Sequence, residues 1–139
     1  MSGITPRLHA VQTTACAPLA RAWERSQSLG GPKQAGAHWT ECMWPWESVG
    51  ASAADGILDD ETYDWLAVVR AMLESGGGPV VVDEATLVRA NEVARTTTGV
   101  AVDPTGASGL AGLLQTVQAS GLRGRIAVVF SGRDRDSCA

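Results

Sequence analysis

The chain has 139 residues, 45% of them hydrophobic and 19% charged, with 11 basic against 15 acidic side chains. That suffices for one compact domain, falls short of two ordinary ones, and is too apolar for wholesale disorder. A net charge of −4 without a one-signed basic block argues against nucleic acid as a partner.

No run approaches the roughly 20 apolar residues of a membrane span, so no membrane partner is expected. The opening Met1-Ser2-Gly3 lacks the basic flank and apolar stretch of a signal peptide. Cys16, Cys42 and Cys138 are widely spaced and form neither a CxxC pair nor a disulfide framework. A reducing, cytoplasmic location is the expectation.

Taken in chain order, residues 8–12 read as a short strand that gives way to a helix at Pro18, which is preorganised for a first turn. Leu19, Ala22 and Trp23 recur three and four apart and form its apolar side. Residues 26–36 lack periodicity, contain Gly30-Gly31-Pro32 and read as a surface loop. Trp39, Trp44 and Trp46 then fall within eight positions. Tryptophans that dense are expected to form a domain or subunit contact.

A helix is expected over residues 59–74. Asp59, Asp60 and Glu61 at its start and Arg70 near its end suit the helix dipole. Trp65, Leu66, Val69, Met72 and Leu73 form its buried stripe, and Gly76 to Pro79 stop it. Val80, Val81 and Val82 make a β-branched strand. Asp83 caps a helix that starts at Glu84 and ends near Thr96.

Residues 98–102 form a short extended piece, ended by Asp103-Pro104-Thr105-Gly106. The helix over 107–114 is rich in small residues, which permits close packing of its backbone on a neighbour. After a turn at 120–125, the unbroken apolar run Ile126 to Phe130 predicts a parallel strand covered on both faces. The alternation of strands and helices predicts an α/β, three-layer fold with a mostly parallel sheet. The whole chain reads as one incomplete α/β domain: strand and helix in 1–25, a loop-rich tryptophan segment in 26–56, and a helix with a βαβ-like core in 57–139. Four strands, two of them very short, make a thin sheet for so apolar a chain and hint at something larger.

In open α/β sheets small ligands collect beyond the carboxyl ends of strands. Ser131-Gly132, directly after the last strand, pairs a compact hydroxyl with a residue that lets a planar ligand approach the backbone. The start of the helix after Asp103 either holds an anion with its free N–H groups or is simply capped by Asp103 with Pro104 fixing the first turn. His9 and His38 have no metal-ligand spacing, and zinc is not expected. His9 is expected to pack within its strand and make one hydrogen bond. Cys16 precedes the Pro18 helix, where a thiolate would gain from the dipole, but no histidine lies near it in sequence. The one lysine, Lys33, sits among glycine and proline, a poor place for a Schiff-base amine.

Several segments, in order, resemble the C-terminal third of threonine synthase and its relatives among the fold-type II pyridoxal-phosphate enzymes. They are Val11-Gln12-Thr13, Cys16-Ala17-Pro18-Leu19-Ala20-Arg21-Ala22, Ala54-Asp55-Gly56-Ile57 and Asp60-Glu61-Thr62-Tyr63-Asp64-Trp65. Ser75-Gly76-Gly77, residues 102–113 and Val129-Phe130-Ser131-Gly132 complete the series. The resemblance implies the C-terminal part of the larger, cofactor-holding domain of such an enzyme, with pyridoxal 5'-phosphate as cofactor. It places Ser131 against the pyridine nitrogen with Gly132 beside it, and Ala54 and Gly56 along the cofactor side of the cleft, with residues 103–107 behind them. No catalytic residue is implied.

The implied chemistry is that of a lyase acting on a small amino acid, with O-phosphohomoserine to threonine as the leading case. A serine or threonine dehydratase-like lyase is the alternative, because Ala54-Asp55-Gly56 and Ser131-Gly132-Arg133 depart from the threonine synthase pattern. The family's Schiff-base lysine, its asparagine at the 3′ oxygen and its phosphate loop lie upstream of the matched segments. The chain is therefore expected to be inactive alone and to need a missing N-terminal half or a homodimer partner. A noncatalytic protein that dimerises through its tryptophan face, and a stand-alone anion binder using Ser131 and the Asp103 helix, are the rival readings.

Overall fold

The computed structural model describes residues 6–121 and 123–134. Met1 to Gly3, Leu122 of the expected turn, Arg135, Asp136 and Cys138 lie outside the described residues. Strand β1 (Val11–Thr13) and strand β2 (Val80–Val82) run parallel, with Val11 opposite Val80 and Thr13 opposite Val82. Between them come α1 (Pro18–Ser28), α2 (Pro32–Ala35), α3 (Trp39–Cys42) and α4 (Trp65–Ser75). After β2 come α5 (Glu84–Thr98) and α6 (Pro104–Ser120).

Helices cover both faces of this small sheet. Ala10 packs against a cluster built from Leu19 and Ala22 of α1, Cys42 of α3, and Trp65, Val69 and Met72 of α4. Val11, Val80 and Val82 join the opposite cluster, with Leu87 and Ala90 of α5 and Ala111 of α6. Strand side chains alternate between faces, so neighbouring residues 10 and 11 feed different cores. The three-layer α/β expectation holds.

Local chemistry explains where the helices begin and end. Asp83 accepts a hydrogen bond from the Thr86 N–H at 2.8 Å, so α5 starts on a side-chain cap. Gly76 ends α4 at φ 72° and Gly99 ends α5 at φ 70°, a left-handed conformation that a Cβ would oppose. These brakes match the expected ends closely, although α5 runs two residues past Thr96.

Other boundaries shift. The acidic stretch 59–64 does not join the helix, which begins at Trp65. The expected 26–36 loop contains the end of α1 and the one-turn α2, because Pro32 supplies another helix start after Gly31. Helix α6 extends from Pro104 to Ser120, well beyond 107–114.

The main correction concerns strands. Among the described residues the sheet has two strands rather than four. Residues 98–100 finish α5 and turn, leaving only an isolated antiparallel bridge between Val102 and Arg133. The run Ile126 to Phe130 joins no ladder, and Ile126 and Val129 are 46% and 77% exposed. Hydrophobic continuity called for burial on two faces, but a strand also needs a neighbour for its backbone, and none lies alongside among the described residues.

The tryptophans are largely occupied within the chain. Trp39 meets the buried Trp65 edge-on, with ring centroids 5.1 Å apart. The Arg21 guanidinium lies 3.7 Å from the Trp44 ring centroid and 5.0 Å from that of Trp46, while Glu47 closes the stack as its ion partner. No helix among the described residues is long and apolar enough to cross a membrane.

The hydrogen bond from Thr86 holds the exposed Asp83 carboxyl below its ordinary value of 3.8. A carboxyl depressed in the folded state adds stability above its unfolded pKa and loses it as pH falls through the folded one. Urea midpoints measured between pH 5 and about 2 should therefore fall more steeply for the parent than for Asp83→Asn. Parallel curves would contradict the cap.

Candidate functional site

Three stretches of chain meet at the start of α6. Asp103 caps the helix: its carboxylate accepts the Gly106 N–H at 2.6 Å and its carbonyl accepts the Ala107 N–H at 3.0 Å. Thr105, in the first turn, accepts the Gly56 N–H through Oγ1 at 3.1 Å. The chain at 132 lies against the same turn so closely that a Cβ on Gly106 would fall on the amide and carbonyl of Gly132. A Cβ on Gly132 would in turn fall on the Asp103 carboxylate. These contacts require glycine on both sides for space rather than for backbone conformation.

The structure thus brings Gly56 and Gly132 to one place, although 76 positions separate them. Ser131, next to Gly132, is exposed, and its hydroxyl makes no hydrogen bond among the described residues. It is free to meet an outside partner. Ala54 is different. Its side chain is fully buried with Val82, Leu87, Ala90 and Ala111. Its N–H goes to Ser52 Oγ at 3.1 Å and its carbonyl accepts the Ile57 N–H at 3.2 Å. Ala54 anchors the 52–57 stretch in the core, and Gly56 is the part that emerges.

Two further anchors escaped the sequence reading. Glu84, in the first turn of α5, accepts the Ala53 N–H at 2.6 Å and fixes the other end of that stretch. Arg95 binds the Asp134 carboxylate at 3.0 Å, and the Asp134 N–H donates to the Ala101 carbonyl at 2.9 Å. Together with the bridge at Val102, these bonds pin the chain just after Ser131-Gly132. Arg95 and Asp134 lie 39 positions apart, and no spacing rule links such a pair in advance. The weak local signal was Thr105, a hydroxyl in the first turn of a capped helix.

The remaining candidates lie elsewhere. The Cys16 thiol is buried, donates to the Asp59 carbonyl at 3.2 Å, and is pushed up by that burial and by Asp60 and Asp59. This is the reverse of thiolate activation. The His9 ring donates one hydrogen bond from Nδ1 to the Gly78 carbonyl at 3.0 Å, because a carbonyl can only accept. That single bond matches the expectation, although the residue is exposed rather than packed and precedes β1, which starts at Val11 rather than at residue 8. His38 pairs with Glu41 at 2.6 Å. Lys33 is exposed on α2, which packs on α1 and α4 beside the tryptophans.

For the pyridoxal phosphate that the resemblance implies, the described residues offer an exposed, unbonded hydroxyl at Ser131 and no lysine near it. The unbonded Ser131 hydroxyl, with the glycine after it, suits the edge of a planar heteroaromatic ring, and a neutral hydroxyl would leave the ring nitrogen largely unprotonated. An amine fixed opposite the ring is what the described residues lack, since Lys33 is on the tryptophan side of the sheet. These residues alone support no covalent step.

No protein-family model matches the chain, and no curated protein matches it either. Solved structures do match in fold. A threonine deaminase from T.th. superposes with a TM-score of 0.64 at 23% identity, over 92% of this chain and 40% of the deaminase. Maize serine racemase superposes with a TM-score of 0.65 at 23% identity, over 95% of this chain and 36% of the racemase. This chain therefore spans well under half the length of either protein. At that identity the likeness establishes the fold: these residues adopt the α/β arrangement found in part of each of those two larger chains.

Proposed function

We propose that this chain forms one wall of the cofactor cleft of a fold-type II pyridoxal-phosphate lyase acting on a small amino acid, and that it does not turn over alone. The observation that carries this reading is the junction at α6, where Gly56 and Gly132 meet the capped first turn and Ser131 is left exposed without a partner. Bound pyridoxal phosphate would supply an electron sink for the carbanion at Cα. Ser131 would hold the ring nitrogen, Gly132 would keep the approach open, and Thr105 would hold Gly56 in place.

The remaining machinery, above all a lysine, would come from a second polypeptide stretch corresponding to the parts of the deaminase and racemase that this chain does not cover. Conversion of O-phosphohomoserine to threonine is the reaction toward which the ordered sequence resemblance points. Dehydration of a hydroxy amino acid is the second reading. It is favoured by the fold match to a threonine deaminase and by the serine at 131.

Pyridoxine 5'-phosphate has the ring and phosphate but no aldehyde, so it isolates the Ser131 contact. One net hydrogen bond of about 1 kcal/mol corresponds to roughly fivefold in affinity. Titration by calorimetry should therefore show Ser131→Ala binding this probe roughly fivefold more weakly than the parent. Equal affinities would remove Ser131 from the site.

Treatment with pyridoxal phosphate and then borohydride should label Lys33 no faster than a lysine in a short peptide, as judged by mass spectrometry. A visible-edge aldimine band that disappears in Lys33→Ala would contradict the one-wall reading.

A further inference from the structure

The outward side of α1 leaves two charges without a partner. Arg21, Glu24, Arg25 and Ser28 recur three and four apart, so they share one side of the helix. Arg21 is fully engaged: it holds the Glu47 carboxylate at 3.0 Å, donates to the Trp44 carbonyl, and lies 3.7 Å from the Trp44 ring centroid. The Arg25 guanidinium makes no hydrogen bond or ion pair among the described residues, and its one ring contact there, with Trp44, is at 5.7 Å. The Glu24 carboxylate has no partner among the described residues either. A cation and an anion adjacent in sequence, both exposed, are left uncommitted.

These two side chains border a groove between α1 and the chain around Trp44. One concavity, of about 390 Å³, is lined by Arg21, Glu24, Arg25, Ser28 and Trp44. A second, of about 400 Å³, shares Arg25, Ser28 and Trp44 with it and adds Leu29 and Glu41. Such volumes lie at the small end of ligand sites. Trp44 is a fixed wall of both. Its indole N–H donates to Glu47 Oε1 at 2.7 Å, its carbonyl accepts from Arg21, and the same guanidinium stacks on its ring. Leu29 is half-buried against the core of α1 and α4 and gives the second concavity an apolar floor. The Ser28 hydroxyl donates into its own helix, to the Arg25 carbonyl at 2.8 Å, so its oxygen is left to accept.

We infer that this groove binds a free α-amino acid with an aromatic or branched apolar side chain. The ligand's carboxylate pairs with Arg25, whose planar fork of donors suits it. Its ammonium group goes to Glu24 and the Ser28 oxygen, and its side chain lies along Trp44 over Leu29.

Charge balance selects this class. A simple anion would meet Arg25 but also the carboxylates of Glu24 and Glu41. A simple cation would meet Arg21 and Arg25. A dipolar ion answers both signs at once, and among dipolar ions an α-amino acid adds the side chain that Trp44 and Leu29 can cover. Glu41 is the poorer ammonium partner, because His38 already holds it at 2.6 Å. The groove is open, so a ligand of about a dozen non-hydrogen atoms should bind with a dissociation constant on the order of 1 mM. Helix α1 packs on the face of the sheet away from α6. The groove is therefore separate from the Ser131 junction and does not rest on the proposed function.

The test is a titration of the isotope-labelled full chain with L-phenylalanine, followed by amide and indole resonances. Saturable shifts should appear at residues 24–29 and at the Trp44 indole. L-phenylalaninamide lacks the carboxylate and N-acetyl-L-phenylalanine lacks the ammonium group, and each should bind about fivefold more weakly. Arg25→Gln should remove the preference over the amide, and Glu24→Gln the preference over the acetylated compound. Both residues are exposed, so urea midpoints should stay near that of the parent.

Equal binding of the three ligands, or a preference that survives its matching substitution, would overturn the inference. So would inorganic phosphate that shifts the same resonances as strongly, since a bare anion would then suffice. Shifts confined to residues 54–57 and 131–132 would overturn it as well, because the amino acid would then sit at the α6 junction. Pyridoxine 5'-phosphate binding is read at Ser131 without amino acid, so either proposal can fail while the other stands.

Discussion

Everything at the candidate site depends on a steric constraint: two backbones meet at the first turn of α6 with no Cβ between them. Gly106 and Gly132 leave room for each other, and the Asp103 carboxylate fills the space that a side chain at 132 would need. That carboxylate also accepts the Gly106 N–H, so one residue both starts the helix and sets the distance to the crossing chain. Any larger residue at either glycine must push the chain bearing Ser131 away from the helix. Overpacking of this sort typically costs about 1–3 kcal/mol, and here it would move the site as well.

Around that contact the structure distributes its anchors unevenly. The 52–57 stretch is held by the burial of Ala54 and by Glu84 and Thr105. The chain after Ser131 is held by Arg95 and by the bridge at Val102. Before Ser131 the segment has side-chain packing on α6 but no backbone bonds among the described residues. Strand β1 is short as well, and the core beneath it is divided between the two sides of a two-stranded sheet. Firm behind Ser131 and open before it, this distribution is what the proposed cleft between two polypeptide stretches would require.

Much of this was legible in the sequence where the deciding physics is local. Asp83 identified itself as a cap, capping was one of two readings for Asp103, Gly76 ended α4, and Val80 to Val82 formed their strand, because each signal acts within a turn or so of itself. The helices on one face, α1 and α4, followed from their apolar stripes. Partnership was not legible. Ile126 to Phe130 has a strand's composition, but whether a strand joins a ladder depends on what lies beside it in space. The same limit applies to Trp44 and Trp46, whose cover is the Arg21 guanidinium from α1. It applies again to Thr105 and Gly56, which are 49 positions apart. At the site, Ser131, Gly132 and the support from residues 103–107 followed from the resemblance; the Thr105 hydroxyl bond to Gly56 and the Arg95 and Glu84 anchors join residues too far apart in sequence to be read there.

The candidate site stands on whether the α6 junction forms in this chain by itself. Nuclear Overhauser spectroscopy of the isolated, isotope-labelled protein answers that directly. Cross-peaks are expected between the Thr105 methyl group and the Gly56 α-protons, and between the Gly106 and Gly132 backbone protons, without any added cofactor or partner. Absence of both sets in a protein whose α5 and α6 resonances are otherwise helical would contradict that junction.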